Sequence, residues 1–114
     1  MEQKDLLDQE VLDELVDIMG DDMSMLIDSF KDDSQQKIAL LGKMSVETQQ
    51  QEIFKMAHSI KGSARNVGLS AFADLCEHIE TQARAGVLTL EDFDLESVNS
   101  LFVASSSLLS EKYQ

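Results

Sequence analysis

The chain has 114 residues, the length of about one domain, and 43% of them are hydrophobic, enough for one compact core. Asp and Glu number 22 against 9 Lys and Arg, a formal net charge of -13, which argues against a nucleic-acid binder and against attachment to anionic lipid. One cysteine cannot form an internal disulfide and suits a reducing compartment. The start, MEQKDLLDQE, lacks the basic residues and apolar run of a signal peptide, and no apolar stretch approaches the roughly 18 residues of a membrane helix. The expectation is a cytoplasmic protein with a single domain over residues 1–114.

Apolar residues recur at helical spacing throughout, and no run alternates as a strand would. The first segment runs from about Asp8 to Met19, with Val11, Leu12, Leu15, Val16 and Met19 as its apolar set and Gly20 as its stop. Asp21 or Asp22 is then expected to cap a long helix to Leu41, whose stripe is Met23, Leu26, Ile27, Phe30, Ile38 and Leu41, interrupted by Ser34. A third helix is expected from about Glu47 to Val67, ending at Gly68. Ser70 is expected to cap a fourth that carries Phe72, Leu75, Cys76, Ile79 and Ala83 and closes at Gly86. The last begins near Asp94 and turns Val98, Leu101, Phe102, Ser105, Leu108 and Leu109 inward; Ser105 to Ser107 weaken the prediction of its final turns, because serine is a poor interior helix former. Short connections between long helices favour antiparallel neighbours. The predicted fold is all-α, an antiparallel up-and-down four-helix bundle with a short additional N-terminal helix.

The third segment carries the chemistry. Ile53, Met56, Ala57, Ile60, Ala64 and Val67 share its core face, which puts Gln51, Phe54, His58, Lys61, Gly62 and Arg65 on the opposite side. No acidic residue lies between Glu52 and Asp74, while Lys55, Lys61 and Arg65 do. An acidic chain thus keeps a positive island around one outward-facing histidine. Gly62 lies inside this helix, where glycine costs about 1 kcal/mol relative to alanine. On an outer face its use is to let another molecule approach the imidazole one turn away.

An exposed imidazole, with an ordinary pKa of about 6.5, is mostly neutral near pH 7 and available as a nucleophile. Phosphoryl transfer needs chiefly in-line positioning and cations for the equatorial oxygens, which Lys61 and Arg65 can supply. No serine or cysteine is placed for a triad with His58. A metal site is disfavoured, since His58 and His78 belong to different helices and the neighbours of His58 are cationic. His78 has no motif around it, and Cys76 reads as a buried structural thiol. Phe54 is read either as an exposed docking anchor or as a ring partly covered by the N-terminal helix, and Lys55 as rim charge.

The run Ala57-His58-Ser59-Ile60-Lys61-Gly62-Ser63-Ala64-Arg65-Asn66-Val67-Gly68 resembles the AHxLKGxxxxxG signature of histidine-containing phosphotransfer (HPt) domains, here of the stand-alone bacterial type. Leu75-Cys76-Glu77-His78-Ile79-Glu80 and Ala83-Arg84-Ala85-Gly86 resemble the helix that follows in the family, and Phe30 to Leu41 fits the preceding helix more loosely. Ile60 stands where leucine is common, Leu69 where alanine is frequent and Phe72 at a usual leucine position.

The resemblance implies that His58 accepts a phosphoryl group from an aspartyl phosphate on one receiver domain and passes it to another. Lys61 would stabilise the group, Gly62 would give clearance, and Phe54, Lys55, Gly62 and Arg65 would meet the partner. The expected partners are receiver domains of response regulators and of a hybrid sensor histidine kinase, in a multistep two-component phosphorelay. The chain would work as a monomer, without its own ATP site or cofactor, the Mg2+ being the receiver's. A kinase dimerisation module is disfavoured because Ser59, not an acid, follows His58 and the chain has no proline. A receiver-binding scaffold or decoy of the same fold is the alternative. The shuttle reading expects an outward imidazole flanked by cations; a ring inside the hydrophobic interior, or one paired permanently with a carboxylate, would overturn it.

Overall fold

The computed structural model describes residues 6–114; the reading of the first five residues as part of an acidic, signal-free start lies outside them. Five α-helices run in order: α1 Gln9–Met19, α2 Met23–Leu41, α3 Gln50–Asn66, α4 Ser70–Arg84 and α5 Leu95–Tyr113. A single 3-10 turn, Gly20–Asp22, joins α1 to α2, and no strand occurs among the described residues. No helix among them is long and apolar enough to cross a membrane. Helices α2 to α5 form the bundle and α1 is the short addition, as predicted.

Helices α2 to α5 bury most of the stripe their spacing predicts, whereas α1 buries only Leu12 of its expected set and leaves Val16 exposed. In α2 the buried residues are Met23, Ile27, Phe30, Ser34, Ile38 and Leu41; in α3 they are Ile53, Ala57, Ile60 and Ala64. Phe72 of α4 is fully buried, with its ring 5.3 Å from Phe102 of α5, and Phe102 in turn lies 6.0 Å from Phe30 of α2. This aromatic row ties three helices into one core.

Several boundaries differ from expectation. Residues 46–48 form a turn, held by the Gln49 side chain accepting from Ser45 N (2.8 Å) and Ser45 Oγ accepting from Glu47 N (3.2 Å). Helix α3 therefore starts at Gln50, whose side chain also clamps Leu88 through both its backbone N–H and its carbonyl. Ser70 is the first residue of α4 rather than its cap, a position Leu69 takes. Asp21 and Asp22 make the 3-10 turn and offer no side-chain cap to α2, whereas Asp8 caps α1 and Asp94 caps α5 as the general preference for aspartate requires. The final serines do not end α5. Ser105 and Ser106 are buried, and the helix end is tied down by Gln9 to Tyr113 (2.9 Å) and by Gln114 to Asp28 (2.9 Å).

The link that positions the site is the α3–α4 turn. Gly68 adopts φ +78°, and a Cβ there would stand 2.9 Å from Leu12 Cγ and 3.2 Å from the Asp8 carbonyl oxygen. Its own carbonyl accepts from Asp8 N at 2.7 Å. Glycine is thus needed twice, for the left-handed turn and for the close seat of α1. Gly68→Ala should lose about 1–3 kcal/mol of stability in denaturant unfolding, the combined cost of a left-handed alanine and a tight contact. Gly86→Ala, with φ +75° but open space around it, should lose less.

Candidate functional site

Helices α3 and α4 share the largest interface of the bundle, and along it the residues pair in one antiparallel register. Phe54 meets Arg84, His58 meets Glu80, and Arg65 meets Asp74 and Glu77. His58 stands outward, its side chain 64% exposed. Its Nδ1 lies 2.7 Å from Glu80 Oε2, and Lys61 Nζ lies 2.7 Å from the other oxygen, Glu80 Oε1. One buried carboxylate therefore bridges the histidine and the lysine.

The electrostatics fix the histidine tautomer. Burial by itself would raise the Glu80 carboxyl, but the Lys61 ammonium and the His58 N–H, by hydrogen bonding and by charge, hold it below the usual carboxylate range. An ionised carboxylate can only accept. Nδ1 of His58 is thus the nitrogen that donates to Glu80, and Nε2, turned away from Glu80, is the one whose lone pair is free whenever the ring is neutral.

This corrects the sequence expectation that no carboxylate would hold the imidazole. The bond does hold it, but through the nitrogen that is not needed as nucleophile. The positive island is corrected too. Lys61 is only 20% exposed and paired with Glu80, and Arg65 is paired with Asp74 (3.1 Å) and Glu77 (3.2 Å). Neither residue faces fully away from the core. At 100° per residue Lys61 and Phe54 fall on the flank of α3 that turns toward α4.

The other expected residues are placed as follows. Phe54 is half-buried, its ring centroid 6.3 Å from that of His58. The Arg84 guanidinium carbon of α4 lies 5.7 Å from the ring centroid. Lys55 is exposed on the other flank of His58, at a groove of about 520 Å³ between α2 and α3 lined by Lys37, Leu40, Met56 and Ser59 among others. Lys37 spans that groove's floor, bonding Ser59 Oγ at 2.8 Å and Asp33 at 2.9 Å. At Gly62 an added Cβ would meet nothing within 4 Å, so no part of this chain calls for glycine there. His78 is exposed and takes no part in the site. Cys76 is buried, and that burial, with the Glu80 charge, pushes its thiol up to about 12, which keeps it unreactive. No group of three His, Cys, Asp or Glu among the described residues could hold a metal ion.

Two residues at this site had no role assigned from sequence. Glu80 lies at i+4 from Cys76 on the apolar stripe of α4, and an acid on a buried stripe demands cationic or N–H partners. Its position was therefore the signal. Arg84, one turn further on, stood within the resembling run Ala83-Arg84-Ala85-Gly86 but was given no role.

The family model of the Hpt domain matches residues 25–109. The chain belongs to the Hpt domain family. The crystal structure of histidine-containing phosphotransfer protein B (HptB) from Pseudomonas aeruginosa PAO1 superposes with a TM-score of 0.87 at 29% sequence identity, covering 96% of this chain and 95% of that one. A comparison with curated proteins returns no significant match. The Hpt match begins inside α2, so α1 lies outside the matched region while Gly68, on which it sits, lies inside it. As a member of the family the chain has a histidine phosphotransfer role in a phosphorelay, and Hpt domains are phosphoryl carriers that interact with receiver domains of response regulators.

The lowered Glu80 pKa has a signed consequence for stability. A carboxyl held below its unfolded-state value contributes fully above that value, and its contribution disappears as pH falls through the folded-state value. Acid unfolding of the native chain should therefore contain a component that Glu80→Gln removes. At pH 7 the same variant should cost about 1–3 kcal/mol, because it leaves the half-buried Lys61 without its anion. Urea titrations between pH 2 and 7 measure both effects.

Proposed function

We propose that His58 is the phosphoryl acceptor of this Hpt domain and that Nε2 is the reacting atom. The observation that carries this reading is the pairing of Nδ1 with the buried Glu80 while the ring stays largely exposed. The Nε2 lone pair attacks the phosphorus of a receiver's aspartyl phosphate in line with the leaving oxygen. The N–P bond forms as the P–O bond breaks, and the electron pair leaves with the aspartate carboxylate. The reacting form is the neutral tautomer with its proton on Nδ1, so no proton has to leave Nε2 during the step. The ring, still protonated at Nδ1, becomes cationic, and Glu80 at 2.7 Å is placed to stabilise that charge. Onward transfer is the reverse reaction with a second receiver aspartate.

Lys61 keeps a part in this scheme beyond its pairing with Glu80. An ammonium has three donors; one spent on Glu80 fixes the carboxylate, and the others can reach a phosphoryl oxygen one helical turn from His58. Gly62 and Lys55 are the open positions for a partner, whereas Arg65 acts through its carboxylates in holding α4 against α3. The partners we infer are the receiver domains of response regulators and of a hybrid sensor kinase, with the Mg2+ ion supplied by the receiver's acidic pocket. The chain acts as a monomer without an ATP site of its own.

Incubation with a phosphorylated receiver should label the chain with an acid-labile, base-stable phosphate, and 31P NMR should place it on Nε2. Loss of label in His58→Gln is the expected result. Persistent label in that variant refutes the assignment, and receiver binding without any label favours the scaffold reading. Gly62 gives a separate test. Gly62→Ala should stabilise the fold by about 0.5–1 kcal/mol, since helix propensity improves and nothing clashes. Gly62→Gln should slow transfer while the fold is retained; transfer at the native rate would refute the clearance role.

A further inference from the structure

Helix α2 carries two lysines whose ammonium groups reach a serine on a neighbouring helix. Lys31 donates to Ser110 Oγ of α5 at 2.9 Å, and Lys37 donates to Ser59 Oγ of α3 at 2.8 Å. Lys37 also pairs with Asp33, one turn back, at 2.9 Å. The serine it holds directly follows His58. At this level α2 and α3 are parted by the groove of about 520 Å³ lined by Leu40 and Met56. The Lys37 side chain thus bridges a gap that apolar packing leaves open.

Successive residues of an α-helix point about 100° apart, so His58 and Ser59 leave α3 on different flanks. Glu80 of α4 holds the first at 2.7 Å, and Lys37 of α2 holds the second at 2.8 Å. A turn of α3 about its own axis that shortens one contact lengthens the other. Together the two contacts set the azimuth of the helix and with it the direction of the imidazole. In-line attack depends on that direction, since a misplacement of about 1 Å can cost roughly 100-fold in rate.

We infer that Lys37 is a positioning residue for phosphoryl transfer: acting through Ser59, it keeps the face of α3 that bears His58 turned outward against the pull of Glu80. This rests on the His58 reading and adds to it a contact supplied by α2. Lys37 takes no part in the N–P and P–O bond changes already given and exchanges no proton.

The test uses Lys37→Met, which keeps the aliphatic stem in the groove and removes the ammonium, together with Ser59→Ala and Lys37→Arg. Lys31→Met is the control, because it deletes a contact of the same chemistry that does not reach α3. Single-turnover transfer from a phosphorylated receiver, followed against receiver concentration, gives a maximal rate and a half-saturating concentration; 15N NMR follows the His58 ring. Lys37→Met should lower the maximal rate roughly fivefold and leave the half-saturating concentration within about twofold of native, the mark of lost positioning rather than lost binding. Its His58 Nδ1 resonance should move. Ser59→Ala should show the same loss, and the double variant no more than either single one, since all three delete one contact. Lys37→Arg should restore most of the rate, and Lys31→Met should keep both the native rate and the native ring resonances. A native maximal rate or an unmoved Nδ1 resonance in Lys37→Met overturns the inference. So does a change confined to the half-saturating concentration, which makes Lys37 a direct contact of the partner, or an equal loss in Lys31→Met, which makes the defect one of general stability. Absence of label from the wild-type chain sinks the His58 reading instead, and the two failures are thereby distinct.

Discussion

The structure of this site depends on one buried carboxylate. Glu80 lies on the face of α4 that packs into the bundle, where an unpaired charge would cost several kcal/mol. It is tolerated because α3 delivers an N–H from His58 to one oxygen and an ammonium from Lys61 to the other. That requirement fixes how far α4 can slide along α3. The three-residue connection through Gly68 makes the same demand from the end of the helices, and the seat of α1 on Gly68 closes it. His58 is therefore placed by an electrostatic need on one side and a steric one on the other.

The charge pattern of the chain takes on a different meaning in three dimensions. Along the sequence, the stretch between Glu52 and Asp74 is free of acids and rich in cations. In space, α4 returns Asp74, Glu77 and Glu80 to the same seam. The helix that bears the histidine is thus not a free positive island in a field of -13. Lys61 and Arg65 are spent on the neighbouring helix, and the exposed cations at the margins are Arg84 and Lys55. Steering by such exposed charges acts on encounter rate and falls with salt.

Much of this was readable from sequence because it follows from period and residue type. The buried stripes of α2 and α3, the outward His58, the helix-internal Gly62 and the buried Cys76 all came from 3.6-residue spacing. What escaped came from treating a helix as having two faces. Lys61 and Phe54 occupy a flank, and a flank is defined only by the neighbour that packs there. Glu80 was visible as an acid on an apolar stripe, but its partner could be named only once the register of α3 against α4 was known. The start of α3 at Gln50 was hidden for a similar reason, since the Gln49 side chain closes a local turn where periodicity alone continues a helix. The serines of α5 misled in the other direction: burial against α2 and side-chain ties at its end outweigh their weak propensity.

A phosphoryl carrier must bind its cargo reversibly, and the bridging geometry bears on that balance. A carboxylate devoted wholly to the imidazole would stabilise the phosphorylated, cationic ring strongly and favour retention. A ring with no anion near it would form phosphohistidine poorly. Here the carboxylate is divided between His58 and Lys61 at equal distances of 2.7 Å, so the lysine tempers the field that the histidine feels. In the proposed reaction the same lysine, one turn along α3 from His58, would loosen its hold on Glu80 as its ammonium shifted toward the phosphoryl oxygens and so leave more of the carboxylate charge for the ring. Acceptance of the group and stabilisation of the cation it creates are then linked through a single side chain, with no need for the backbone of α3 or α4 to move.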